Sequence, residues 1–278
     1  MSASTLTTIL ENNRLAGRLT LIPFLPAAFP GREEFWTVLE ELAANGADII
    51  EIGVPFSDPV ADGPLVAEAS RLALANGGSL DYIFDGLAQR RGQLSSGMVL
   101  MGYVNPFIQY GWATAARSLP GGEARAVMAA SLGLLAEKLQ EAGVSGLIVP
   151  DLPLEENGPW LAALQPRGLD LIALVGPNTG LDKMKAYATG GAGGYVYVAS
   201  VLGVTGVREG LPPEVTDTLR RARQAFGLPL VLGFGLSSPA QLRDLTEKPE
   251  GVVFGSALIS HLSAGGPVRD FMEPWLKP

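Results

Sequence analysis

The sequence contains no cysteine and a single histidine, His261, in 278 residues. Without cysteine there is no disulfide framework, no thiolate metal site and no thiol nucleophile. One imidazole cannot make the histidine cluster that holds zinc or iron. Long apolar runs are missing as well. Nothing approaches the ~18 uninterrupted apolar residues of a membrane span, and residues 1–19 lack the basic-then-apolar order of a secretory signal. The reading is a soluble, cytoplasmic protein that engages no membrane. Basic clusters are equally scarce: 20 Lys and Arg stand against 28 Asp and Glu, for a net charge of −8. The densest basic group, Arg220-Arg221-x-Arg223, fits a solvated helix face, so no nucleic-acid partner is expected.

What the chain has in quantity is glycine and apolar residues. Glycine is 35 of 278, about 13%, roughly double the usual ~7%. With 47% apolar and only 17% charged residues, this is the composition of a packed chain with many tight turns. Short β-rich runs bounded by Gly, Pro or Asp fall at 19–25, 47–54, 97–103, 145–151, 170–176, 193–200, 228–235 and 251–258. Several are apolar almost throughout, as expected for parallel strands covered on one face and packed on the other. Helical spacing predicts helices over 32–44, with Phe35, Val38, Leu39 and Leu42 on one stripe, and over 66–75 and 80–91. Eight βα units in about 250 residues predict an α/β fold, a (β/α)8 TIM barrel forming one domain over residues 1–278. An open doubly wound sheet is the competing topology. The long connection 111–143 has room for an additional helix.

Barrel chemistry belongs at the C-terminal ends of the strands and in the loops that follow. In Ile50-Glu51-Ile52 the alternation of a strand sends both isoleucines toward the helices and Glu51 into the barrel. A dehydrated carboxyl favours its neutral form, which raises its pKa toward the range useful for acid–base work. Eleven residues on, Asp62 lies in a loop stiffened by Pro55, Pro59 and Pro64. A structural ion pair for Glu51 and a plain turn role for Asp62 fit these positions equally well. Gly233-Phe-Gly-Leu-Ser237 and Gly255-Ser256 follow the last two runs, where barrels often bind phosphate. Gly206 offers a third arm. Phe24, Tyr103, Tyr197 and Phe234 sit near strand ends and suit a flat apolar group. The five lysines, Lys138, Lys183, Lys185, Lys248 and Lys277, fall in predicted helices or the tail, which leaves no amine for a Schiff base.

The run Glu51-Ile-Gly-Val-Pro-Phe-Ser-Asp-Pro-Val-Ala-Asp-Gly-Pro64 resembles the signature of the tryptophan synthase alpha chain family. Pro23-Phe24, Met101-Gly-Tyr-Val-Asn-Pro106, Gly146-Leu-Ile-Val-Pro-Asp-Leu-Pro153, Gly203-Val-Thr-Gly206, Gly233-Phe-Gly-Leu-Ser237 and Gly255-Ser-Ala257 recur in family order. The resemblance implies a metal-free lyase splitting indole-3-glycerol phosphate into indole and glyceraldehyde 3-phosphate. It implies no cofactor in this chain, and a beta-chain partner in an alpha2beta2 heterotetramer that carries pyridoxal phosphate and receives the indole. By the same resemblance Glu51 matches the catalytic glutamate that protonates indole C3, and Asp62 the aspartate that pairs with the indole N–H. Tyr197 and Thr205 match residues beside that pair, the threonine on a closing loop. Phe24, Tyr103 and Phe234 match the indole pocket, and Gly206, Gly235, Gly255 and Ser256 the phosphate arms. Asp58 and its neighbouring prolines match the loop that faces the partner. The chain departs from the family at Pro26 and Ala28, where Thr and Gly are usual. It departs again at Val201, a position often held by Arg, and in the length of the connection 111–143. A phosphosugar isomerase on the same barrel, and a noncatalytic ligand-binding subunit, are the alternative functions.

Overall fold

The computed structural model describes residues 4–200, 211–233 and 235–276. Nine strands lie in one parallel sheet: β1 (Thr20–Pro26), β2 (Ile49–Gly53), β3 (Gly97–Met101), β4 (Gly146–Ile148), β5 (Asp170–Leu171), β6 (Ala173–Val175), β7 (Val196–Ala199), β8 (Leu230–Gly233) and β9 (Gly251–Phe254). Their order is β5-β4-β3-β2-β1-β9-β8-β7-β6. Only Ile172 separates β5 from β6, so the two ends of the sheet meet in one continuous stretch of chain and the barrel is nearly closed. The fifth expected run is thus present but divided. Gly146 and Leu147 pair with Asp170 and Leu171, while Ala173 to Val175 pair with β7. At the joint, the Ile172 N–H still donates to Leu147 O (2.9 Å).

The helices are α1 (Thr5–Leu15), α2 (Glu34–Ala44), α3 (Pro64–Ala75), α4 (Leu80–Gln89), α5 (Val104–Ser118), α6 (Ala124–Glu141), α7 (Gly158–Leu164), α8 (Leu181–Thr189), α9 (Glu214–Ala225), α10 (Ser256–Ser263) and α11 (Val268–Leu276). On α2 the buried stripe is Phe35, Trp36, Leu39 and Leu42, with Val38 only half-buried. The long connection holds two helices, α5 and α6, packed as a hairpin. At Gly111 a Cβ would come within 2.7 Å of Ser131 O, and the Ser131 hydroxyl donates to Ile108 O (2.5 Å). On α9, Arg220 and Arg221 pair with Asp217 and Arg223 pairs with Glu247 and Glu250. Lys248 lies in a loop rather than a helix, where its ammonium donates to Leu242 O and Arg243 O. No helix among the described residues is long and apolar enough to cross a membrane.

Helix α1 closes the N-terminal end of the barrel. Ser4 caps it by accepting from the Thr7 N–H (3.2 Å), and Leu6 and Leu10, one turn apart, are fully buried. They fit because glycines stand at or just before several strand starts. A Cβ at Gly146, Gly194 or Gly251 would approach Leu6 or Leu10 to 3.1–3.2 Å. The Thr7 hydroxyl then fixes the plug by donating to Gly194 O (2.7 Å). With this end sealed, a ligand reaches the interior from the opposite mouth. Leu6→Ala should therefore lower unfolding free energy by about 2–5 kcal/mol in a urea titration, as buried leucine truncations do. A loss under about 1 kcal/mol would contradict a tightly packed plug.

Candidate active site

Alternation along the strands decides what faces the interior. On β2, Ile50 and Ile52 point outward into the helical layer and Glu51 points inward, where it is 0% exposed. The β1 register places Phe24 beside Glu51, and Val99 on β3 flanks it on the other side. Both carboxyl oxygens of Glu51 are buried with no hydrogen-bond partner among the described residues. Burial, and then the charge of Asp62, push its pKa up from 4.5 to about 8. The ion-pair reading of Glu51 thereby falls away.

Asp62 reaches the same cavity from the β2–α3 loop. Tight turns fold this loop, with the Asp62 N–H donating to Pro59 O (3.0 Å) and the Val60 N–H to Asp58 O (2.9 Å). Two side chains from the barrel wall pin it. The Ser70 hydroxyl on α3 accepts from the Phe56 N–H (3.1 Å). The Tyr103 hydroxyl accepts from the Ala61 N–H (2.9 Å) and hydrogen-bonds Asp62. Burial raises the Asp62 pKa from 3.8, the Tyr103 contact opposes that rise, and the result is about 6. Asp62 is half-buried, so its charge retains a solvated side that Glu51 lacks.

Pro26 stands where a threonine hydroxyl was expected to steady this loop. Here Pro26 lines the cavity beside Asp62, and Tyr103 and Ser70 supply the ordering contacts. Ala28 has φ = 70°, the left-handed region that favours glycine. The glycine usual at this position is therefore a matter of backbone shape, which alanine adopts here at a conformational cost.

Those of the remaining predicted residues that are described gather at the same mouth. Phe24, Tyr197, Gly235, Gly255 and Ser256 line the cavity with Glu51 and Asp62. Tyr103 stands behind Asp62 in the adjoining one. Glycines make room for the aromatic rings. A Cβ at Gly53 or Gly255 would come within 2.7–2.8 Å of the Phe24 ring, and one at Gly233 would run into the Tyr197 phenol. Opposite the acids, Gly255 precedes the first turn of α10 and Ser256 begins it. This is a helix end whose free N–H groups suit an anion. Gly235 turns the chain at φ = 79°, and Gln241 ties that turn by accepting from the Ser237 N–H (2.7 Å) and the Ser238 N–H (3.0 Å). Thr205, Gly206 and Phe234, with Val201, lie outside the described residues.

Sequence reasoning missed Val66, Met101 and Val253, which complete the apolar wall. Met101 follows Val99 and Val253 follows Gly251 on the inward face of their strands, so alternation alone could have found them. No group of three or more His, Asp or Glu side chains among the described residues could hold a metal ion. A larger cavity of about 740 Å3 lies away from the acids, between the α3–α4 junction and the α5–α6 hairpin. The cavity bearing Glu51 and Asp62 is about 40 Å3.

Comparison with known proteins gives matches over nearly the whole chain. Residues 10–267 match the family model described as tryptophan synthase alpha chain. The tryptophan synthase alpha chain of Nitratidesulfovibrio vulgaris is 55% identical over 275 residues, covering 99% of each chain. That of Desulfovibrio desulfuricans is 53% identical over 262 residues, covering 94% of each. Among solved structures, Mycobacterium tuberculosis tryptophan synthase superposes with a TM-score of 0.83 at 31% identity, covering 99% of this chain and 96% of that one. The Legionella pneumophila alpha subunit gives 0.79 at 29% identity, covering 98% and 95%.

The two raised pKa values carry a stability consequence. Both carboxyls hold protons in the folded chain that the unfolded chain releases. The stability this contributes is full below the ordinary values of 4.5 and 3.8 and is lost as pH rises through about 6 and then about 8. Unfolding free energy measured by denaturant titration should decline between about pH 4 and about pH 8, and Glu51→Gln should flatten the upper part of that decline. A wild-type chain whose stability held constant or rose over this window would contradict the assignment.

Proposed function

The chain belongs to the tryptophan synthase alpha chain family, lyases that cleave indole-3-glycerol phosphate, and from that premise we propose that Glu51 and Asp62 divide the proton chemistry of the cleavage between them. The observation that carries this reading is one cavity bearing two carboxyls of unlike proton affinity, about 8 and about 6. Near neutrality Glu51 keeps its proton and Asp62 gives its proton up. Two carboxyls driven apart in this way can act as acid and as anion in one step.

Glu51 delivers its proton to C3 of the indole ring, and positive charge develops toward the ring nitrogen. Ionised Asp62 accepts the hydrogen bond of the indole N–H and stabilises that charge. The Glu51 carboxylate then takes the proton of the glycerol hydroxyl as the carbon–carbon bond breaks. Indole and glyceraldehyde 3-phosphate leave, and Glu51 is again protonated. Tyr103 holds Asp62 in place, while Phe24 and Tyr197 offer the ring its apolar walls. Gly235, Gly255 and Ser256 place the phosphate at the start of α10.

Phe24, Asp62, Val66 and Met101 border both the acid cavity and a second one of about 20 Å3. Thr205, Gly206 and Phe234 take the loop, phosphate and ring-pocket roles that the resemblance gives them. Membership of the family implies a beta-chain partner. An alpha2beta2 assembly in the cytoplasm, with pyridoxal phosphate in the beta chain, completes the proposal. The loop before Asp62 suits that contact, since Asp58 is exposed and Val60 is 85% exposed.

Incubation of the purified chain with indole-3-glycerol phosphate should release free indole, faster when a beta chain is present. Glu51→Gln and Asp62→Asn should each slow that release by about 10²–10⁴-fold or more. Unchanged release from either variant would overturn the assignment, and a phosphosugar isomerase would form no indole at all. The pH dependence of kcat/KM should be bell-shaped, rising as Asp62 ionises near 6 and falling as Glu51 loses its proton near 8. A profile flat across that range would remove the two carboxyls from the rate-determining proton transfers.

A further inference from the structure

Helix α5 starts on an unusual residue. Its N-cap is Tyr103, extended at φ −84° and ψ 158°, and the tyrosine side chain makes no capping hydrogen bond. Helices commonly start on Ser, Thr, Asp or Asn, whose side-chain oxygen accepts from one of the first free N–H groups. Here that oxygen comes from another loop. Asp151, 47 residues further along the chain, accepts through Oδ1 from the N–H of Val104, the first residue of α5 (2.9 Å). A carboxylate suits that end of a helix, where the aligned peptide dipoles leave partial positive charge.

The backbone brings Asp151 to this place. Strands β3 and β4 are neighbours, with Met101 paired to Ile148, and the Gly102 N–H donates to Ile148 O (3.1 Å) at the end of the ladder. The loops that follow therefore leave the barrel side by side. Val149-Pro150-Asp151-Leu152 then closes as a turn, the Leu152 N–H donating to Val149 O (3.1 Å). Proline at the second position fixes φ for the turn and delivers the aspartate at the third. This cap from outside the helix leaves the Tyr103 side chain free for other work. Its ring is 4% exposed and packs on Phe56, with centroids 5.4 Å apart. Its hydroxyl accepts from the Ala61 N–H (2.9 Å), one residue before Asp62. A serine or aspartate at position 103 could cap the helix but would release this loop.

We propose that Asp151 is a positioning residue for Asp62: by capping α5 from the neighbouring loop, it fixes the backbone from which Tyr103 reaches across to Phe56 and Ala61. Its bearing on the cleavage rests on the proposed role of Asp62, but its effect on the loop is readable without turnover. Among the described residues, the titratable groups facing Asp62 are Glu51 on β2, Tyr103 at the end of β3 and Tyr197 on β7, and Asp151 itself faces Tyr103.

The test compares Asp151→Asn, which keeps an acceptor oxygen and loses the charge, with Asp151→Ala, which loses both. Asp151→Ser, whose hydroxyl is one bond too short to reach Val104, is the second variant should the alanine chain fail to fold. Amide exchange followed by NMR in the full chain should be about 2- to 30-fold faster at Ala61 in the alanine and serine variants, the range expected for a lost cap, and unchanged in the asparagine variant. The Asp62 carboxyl is followed by 13C at aspartate Cγ and assigned by its loss in Asp62→Asn. In the alanine and serine variants it should titrate about half a unit higher, because the Tyr103 hydrogen bond that favours the carboxylate is weakened. Removal of the Asp151 charge alone would move it the other way. In a Tyr103→Phe chain, Asp151→Ala should change neither reading. Faster exchange confined to Val104 would make Asp151 a local cap and nothing more. Equal effects of the asparagine and alanine variants would mean charge, and effects that persist without the Tyr103 hydroxyl would mean a general loosening; any of these overturns the proposal. If both readings shift as expected while indole release is insensitive to Asp62→Asn, the positioning holds and the proposed reaction fails.

Discussion

A carboxyl enclosed by the barrel wall, with neither oxygen hydrogen-bonded, is tolerated only while it keeps its proton. Ionised, it would be a buried and uncompensated charge, with a cost large enough to threaten a fold of ordinary stability. Glu51 is placed under this constraint by nothing more than strand alternation on β2. Its proton affinity is therefore a property of the barrel rather than of any single neighbour. The chain retains an unfavourable group at the centre of its core, and in return it holds a carboxyl that still carries its proton at neutral pH.

The surroundings are organised around that group. Asp62 arrives from a loop, half-solvated and hydrogen-bonded by Tyr103, so it can be an anion at the pH where Glu51 is not. The loop does not need the absent hydroxyl at position 26, because Tyr103 grips its backbone at Ala61 while Ser70 holds Phe56. Tyr103 is in turn fixed by the start of α5, where Asp151 Oδ1 accepts from the Val104 N–H (2.9 Å). Below the acids, glycines at the strand starts admit Leu6 and Leu10 and keep water from the lower end. Above them, Gly53, Gly233 and Gly255 leave space for the Phe24 and Tyr197 rings.

Much of this was legible in the residues because parallel strands advertise themselves as short apolar runs and because alternation assigns an inward face. That argument found Glu51 and its raised proton affinity, and all eight strand regions. It could not find the division at Ile172, since a strand that changes neighbours has the same composition as one that does not. The helical plug at residues 5–15 was missed because its buried stripe amounts to Leu6, Thr7, Leu10 and Asn13, too polar to stand out. Val66, Met101 and Val253 were passed over because an apolar residue on a helix or a strand looks like core whether it meets another side chain or a substrate.

The central claim is that at neutral pH one of the two acids is protonated and the other is not. Infrared difference spectra of the wild type against Glu51→Gln, and of the wild type against Asp62→Asn, test it most directly at a single pH near 7. The first difference should contain the carbonyl stretch of a neutral carboxylic acid and the second the paired stretches of a carboxylate. Two carboxylate signatures, or a neutral acid at Asp62 with an ionised Glu51, would contradict the account at its base.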